Sequence, residues 1–288
     1  MDCQHYKHRL KIGFSVAVVI LTGCAPQIRK PIQIYPGKKS AAEALSILRS
    51  RSENTAPIKA NGRCHLLYYF EEKLHKENFA VKIWAAPPAE IYLQGDVAFD
   101  PQGLVLGSNE DEFWLAIKPK EISGYWWGRW SDESCLEKLI ISPKTLLEAL
   151  GVTQTGVEEN WFLSNEGNYD VLTKHSGQGI IVKKIYILNS RDYHVKKVEY
   201  FDANGQVAVV AELDKFKKVN NDFLVPTVIK MTNCTLDNKG DSVKITLSSI
   251  KSANFTDKQR RRLFIRPQPQ GFKHIYKIVD GDIIEQPQ

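Results

Sequence analysis

The sequence lacks an apolar run long enough to cross a bilayer. Its longest, near the N-terminus, holds about 14 residues, short of the roughly 20 that span a hydrocarbon core. Cysteine is scarce. Of five, Cys3 and Cys24 belong to the N-terminal segment, which leaves Cys64, Cys135 and Cys234. Three widely spaced thiols exclude a disulfide framework, allow at most one bridge, and offer no Cys/His cluster for a structural zinc. There is no Gly-x-Ser-x-Gly elbow, no His-Glu-x-x-His, no glycine-rich phosphate loop and no close carboxylate pair in an aromatic setting. The chain therefore reads as a protein that is not an enzyme and takes no metal or cofactor. His175-Ser176 is read as a surface pair, because sequence neighbours on a strand or turn point apart. Asp202-Ala203-Asn204-Gly205 starts like a calcium loop but has no bidentate glutamate at loop position 12. Asn233-Cys234-Thr235 and Asn254-Phe255-Thr256 match the glycosylation sequon and read as chance matches.

Charge of one sign is not in large excess either. The formal net charge is +6, and residues 1–23, with Lys7, Arg9 and Lys11 against Asp2, account for enough of it to leave +4. With 25% charged and 43% hydrophobic residues, the remainder has ordinary globular composition and the length for one large β domain. Basic residues are scattered, and the densest group, Arg260-Arg261-Arg262 with Lys258 and Arg266, is read as a solvated helix face or a contact for lipid phosphates, with no nucleic-acid partner.

What is present begins with Leu21-Thr22-Gly23-Cys24. It ends a short hydrophobic stretch, Ile12 to Leu21, that follows the basic Lys7, Arg9 and Lys11, the layout of a lipoprotein signal with small residues before the cleavage point. Residues 1–23 are the expected signal peptide, and Cys24 is the expected lipid-attachment residue. Residues 24–39, with Pro26, Pro31 and Pro36 and almost no periodic pattern, read as a tether of some 40 Å at about 3 Å per residue. Residues 40–288 are expected to form a single domain.

That domain starts with a helix. Ser40 and Glu43 form a capping-box pattern, and Ala41, Ala44, Leu45 and Leu48 share one apolar face. From Ile58 the period changes to 2, as in Cys64, Leu66, Tyr68 and Phe70, then Phe79, Val81 and Ile83. Short strands follow at Ile91 to Leu93, Leu104 to Leu106 and Phe113 to Ile117. Ser142-Pro143 caps a second helix that stops at Gly151. Further strands are read at Ile180 to Leu188, Val195 to Phe201, Gln206 to Leu213, Leu224 to Thr232 and Val243 to Ile250. Asn204-Gly205 is the strongest hairpin signal, with positive φ expected at both residues. Asp257 to Arg262 reads as a capped basic turn of helix. The aromatic group Tyr125-Trp126-Trp127-Gly128-Arg129-Trp130, with Trp114 before it, suits either core packing or the lip of an apolar cavity.

The order of these elements resembles the bacterial lipoprotein carrier and acceptor superfamily (LolA/LolB-like). The resemblance is carried by Val198-Glu199-Tyr200-Phe201-Asp202-Ala203-Asn204-Gly205-Gln206, by Asn220 to Lys230 with Pro226, by Ala86-Pro87-Pro88-Ala89-Glu90-Ile91 and by Glu112-Phe113-Trp114-Leu115, over roughly Ser40 to Arg266. It implies a mainly β (α+β) fold, an antiparallel curved sheet forming a half-barrel with helices over the concave face, and an apolar cavity for acyl chains. Trp114, Trp126 and Trp127 are the residues expected at that cavity. The superfamily's soluble carrier has no lipid anchor, and its anchored acceptor has a protruding hydrophobic loop, for which Ile122 to Trp130 is the candidate here. Ala25 after the anchor fits outer-membrane delivery. The expectation is a monomeric, outer-membrane-anchored periplasmic lipoprotein that binds acyl chains of lipids or lipoproteins and serves lipoprotein localisation. The competing expectation is a tethered structural or envelope-sensing protein whose barrel is filled by its own helices. An open apolar pocket favours the first and a plugged one the second.

Overall fold

The computed structural model describes residues 32–70, 73–97, 100–119, 122–130, 142–152, 160–219, 223–235, 240–279 and 282–287. Cys24, the signal segment and Cys135 lie outside these. A helix, α1 (Ala41–Glu53), leads into six strands: β1 (Ile58–Phe70), β2 (Lys73–Ala86), β3 (Glu90–Val97), β4 (Asp100–Ser108), β5 (Glu112–Ile117) and β6 (Gly124–Arg129). After α2 (Pro143–Ala149) come β7 (Trp161–Glu166), β8 (Tyr169–His175), β9 (Ile181–Leu188), β10 (Val195–Phe201), β11 (Val207–Lys218), β12 (Leu224–Asn233) and β13 (Ser242–Ser252). The chain ends with α3 (Asp257–Phe264), β14 (His274–Val279) and β15 (Asp282–Glu285).

All the described strands join one curved, unclosed sheet. Two antiparallel meanders, β1 to β6 and β7 to β13, meet where β1 pairs with β13, and β14 adds to β6 as the sheet's parallel pair. Register explains the burial. On one face a continuous apolar row crosses Leu163, Leu172, Ile185, Val198, Ala211, Met231 and Val243. A second runs through Ala60, Ile83, Leu93, Leu106, Leu115 and Trp126. Because side chains alternate with period 2, a one-residue slip in any strand would break both rows. These rows form one core with Ala44, Leu45 and Leu48 of α1 and Leu146, Leu147 and Leu150 of α2, so both helices lie on the concave face.

The helix starts follow the sequence signals. Ser40 Oγ accepts from Glu43 N, while the Glu43 carboxylate turns to Lys39 N rather than completing a capping box. Ser142 and Thr145 make the reciprocal box at α2, and Gly151, at φ +99°, ends its turn. Asn204-Gly205 differs from its expectation. Only Gly205 has positive φ, and Asp202 Oδ1 accepts from Asn204 N and Gln206 N at 2.9 and 2.8 Å. Asp202 N donates to Gln206 O and Gly205 N to Asp202 O, which makes this a three-residue loop with glycine in the left-handed position; the register shift beside Tyr200 and Phe201 is a separate bulge at Ala208. The Asp202 carboxylate is committed to backbone N–H groups.

Three further expectations are corrected. Ile122 to Trp130 is no protruding loop: Gly124–Arg129 is β6, paired on both sides, and Tyr125 is fully buried. The segment after α3 crosses the convex face, so α3 does not join the helices of the concave side. Arg260 pairs with Glu90, Arg266 Nε bonds Glu112 at 2.8 Å, and Tyr125 OH donates to Pro267 O at 2.8 Å. Finally, the tether does not run free to residue 39. Tyr35 N donates to Asn189 O at 2.7 Å and Lys38 N to Asp170 Oδ2 at 2.9 Å, while Gly37 sits where a Cβ would lie 2.2 Å from Asn165 Nδ2. Residues 33–288 form one compact unit that contains every described helix, strand and core residue, so this unit has what it needs to fold alone.

Candidate functional site

The concave face is filled. Leu146, Leu147 and Leu150 of α2 lie against the apolar rows, and the space left between α1, α2, β11 and β12 is about 50 Å³, lined by Leu48, Ala149, His194, Leu213 and Phe223. A water's share of liquid is about 30 Å³, and drug-sized ligand sites run to roughly 300 Å³ or more, so this space takes one or two waters and no acyl chain. On the other side of α2 a cleft of about 210 Å³ is lined by Pro88, Ala89, Trp130, Lys144, Leu147 and Glu148. α2 is thus a partition between two spaces.

One polar clasp holds that partition. Glu148, buried between Leu147 and Ala149, receives Lys183 Nζ of β9 on both carboxylate oxygens, at 2.7 and 2.6 Å, and the Tyr200 hydroxyl of β10 on Oε2. Lys183 Nζ lies 5.1 Å from the Tyr200 ring centre. Burial, and then the Glu148 carboxylate, push the Tyr200 phenol well above its ordinary range, so it donates to Glu148 at every physiological pH. Removing one partner of such a buried pair leaves a charge without compensation and costs about 3–5 kcal/mol. Beside the clasp, burial and then Lys196 push His194 down to about 4, and its ring packs 4.2 Å from that of Phe216. It is a neutral wall residue at pH 7.

A second polar cluster anchors the N-terminal segment. Asp170 is fully buried and accepts from Lys38 N, Asn165 Nδ2 (2.7 Å), Asn189 Nδ2 (3.0 Å) and Tyr193 OH (2.7 Å). Burial alone would raise its pKa; the donors, Lys38 N first, outweigh that and hold the carboxyl below its ordinary range.

The three tryptophans expected at one cavity lie on two faces. Trp126 is on the concave side, stacked on Tyr276 at 5.4 Å. Trp114 and Trp127, paired across β5 and β6, are on the convex side. Trp114 is fully buried over Gly107, whose Cβ would meet its ring at 2.3 Å; Trp127 lies under Arg266 at 4.0 Å and Lys277 at 5.2 Å. His175 and Ser176 form no dyad, since Ser176 Oγ accepts from Gln178 N and Ile180 N. Cys64 is buried and Cys234 half-buried, both free. Sequence reasoning missed the Glu148 clasp. Its signal was there: a glutamate inside the apolar run Leu146-Leu147-Glu148-Ala149-Leu150, and two lysines in the otherwise apolar Ile181-Val182-Lys183-Lys184-Ile185.

No protein-family model and no curated protein sequence matches the chain. Solved structures do. A domain assigned to outer membrane lipoprotein sorting, from Vibrio parahaemolyticus, superposes with a TM-score of 0.52 at 14% identity, over 76% of this chain and 94% of that one. A DUF1329 family protein from Desulfovibrio piger gives 0.52 at 12% identity, over 76% and 95%. At such identities the likeness is one of fold. The chain shares their fold: one curved, unclosed sheet, here with α1 and α2 in its concavity.

Proposed function

We propose that this protein is a lipoprotein of the bacterial envelope, held by a lipid on Cys24 to the periplasmic face of the outer membrane, and that its half-barrel takes an acyl chain of a lipid or lipoprotein where α2 now lies. The observation that carries the reading is α2 itself. It covers the concave face with three leucines, the chemistry an alkyl chain would present, and is short enough that displacing it would join the spaces on its two sides. Burying methylenes at about 0.8 kcal/mol each gives a long acyl chain the means to compete with those leucines. The described state is then the closed one, and apparent affinity is lowered by the small fraction that is open.

The test is native mass spectrometry of residues 33–288 from a bacterial envelope, with tryptophan fluorescence during addition of palmitate. A co-purified lipid mass or a saturable signal is expected. Glu148→Gln, which weakens the clasp, should bind at least tenfold more tightly by raising the open fraction. A bare mass and no response from either protein would sink this reading. It would leave the second one, a tethered scaffold with a permanently filled barrel, which the 50 Å³ of remaining space favours.

A further inference from the structure

The convex face changes character along the sheet. Over β10 to β12 cations are neutralised in three ion pairs: Lys196 with Asp214 at 2.8 Å, Lys197 with Glu199 at 2.8 Å and Lys230 with Glu212 at 3.1 Å. Over β13, β1 and β2 they are not. The outward positions there carry Lys59, Arg63, Lys76, Lys82, Lys244 and Lys251, and no outward Asp or Glu among the described residues. Glu71 and Glu72, between β1 and β2, lie outside those residues; Asp241, just before β13, is buried and accepts from Tyr69 N at 3.0 Å. Register even sets Lys59 opposite Lys251, a like-charge pairing that weakens a sheet.

The cations surround a polar centre. Asn61 faces Lys82 on one side and Ser249 on the other, donating to the Ser249 hydroxyl at 3.1 Å. A β-bulge at Asn61 and Gly62 brings Ser248 in to donate to Asn61 O at 3.2 Å. Lys59, Arg63, Lys82 and Lys251 stand around this amide and its two hydroxyls. Toward the hairpin end, the same face exposes Tyr69 (52%) and Leu74 (45%). Lysines and an arginine with no ion pair among the described residues, Lys59 lying over the Trp84 ring at 5.7 Å, with exposed aromatic and aliphatic groups spread over three strands instead of gathered in a pocket, match the composition of surfaces that settle at a lipid headgroup layer.

We propose that the convex face of β13, β1 and β2 docks on the phosphates of an anionic bilayer, laying the outside of the half-barrel against the membrane. The proposal is independent of what occupies the concavity. It is tested by co-sedimenting residues 33–288 with vesicles of about 30% phosphatidylglycerol in phosphatidylcholine, against pure phosphatidylcholine, at about 0.05 M and 0.5 M salt. Binding is expected on the anionic vesicles alone, and is lost at high salt. Each cation near an anionic surface contributes about fivefold, so Arg63→Gln with Lys82→Gln should weaken binding roughly 25-fold. Lys217→Gln with Lys218→Gln, exposed cations at the far end of β11, should leave it unchanged. All four side chains lie outside the core, and an unchanged melting temperature checks that the variants fold. Equal binding to both vesicle types, or an equal loss in the Lys217/Lys218 variant, overturns the proposal. So does retention on heparin without vesicle binding, which would assign the face to a soluble polyanion.

Discussion

Asp170 shows what one buried carboxylate does at the point where the anchored segment enters the fold. Its donors come from three stretches of chain: Lys38 before α1, Asn165 in β7, and Asn189 and Tyr193 in the turn after β9. A carboxyl whose folded pKa is depressed adds stability that is fully present above its unfolded value, about 4, and is lost as pH falls through the folded value. Asp170→Asn should therefore cost about 2 kcal/mol at pH 7, the scale of a charge-assisted hydrogen-bond set. Urea melts of the two proteins should converge as the pH is lowered below about 4. Equal midpoints at pH 7 would show that the cluster contributes nothing to stability. Asp170 was not legible as a site in the sequence, because it is defined by partners far away in the chain; Glu148 stood out inside an apolar run, but nothing local named Lys183 and Tyr200 as its partners. The tryptophans were visible and misplaced. Adjacent residues on a strand point to opposite faces, so Trp126 and Trp127 could share a cavity only if their segment were a loop.

Among the elements, those with local chemistry were readable. Ser40, Ser142-Pro143 and Gly151 marked the ends of α1 and α2, and alternation marked β1, β2 and most strands of the second meander, since a half-buried sheet imposes both patterns. β6 was missed because Tyr125, Trp126 and Trp127 put aromatic groups on both faces and erase the alternation. β7 was missed because an edge strand, here Trp161-Phe162-Leu163-Ser164-Asn165-Glu166, has little to bury. β14 pairs in parallel with a strand far back in the chain, which no local signal reports. The aromatic strands need glycine as cross-strand partner: Gly107 faces Trp114, and Gly128 faces Phe113 with a Cβ position 2.8 Å from its ring. Gly107→Ala should force Trp114 off its seat and cost about 1–3 kcal/mol in a denaturant melt, as overpacking does. The near-UV circular dichroism should change with it. An unaltered near-UV spectrum would mean that Trp114 does not rest on that glycine.

At the scale of the whole molecule, the stretch from Tyr35 to Lys38 is pinned to the fold through Tyr35 N and Lys38 N. Limited digestion with trypsin should leave a folded domain that keeps Lys38 and Lys39, whose stretch is held by Lys38 N on Asp170. First cleavage at Lys38 or Lys39 would contradict the docking of that stretch. The strand order has one more consequence. The parallel strand β14 and the strap before it cover β6, Tyr125 and Trp127, yet they lie far downstream of β6 in the chain. A ribosome delivers β1 to β6 long before residues 257–279. Until those residues arrive, the aromatic convex face lacks their cover and the edge of β6 offers its backbone to any passing strand. Emergence of residues 257–279 is therefore the event that times completion of the first half of the sheet, and a stop codon placed shortly before β14 would leave a chain prone to self-association.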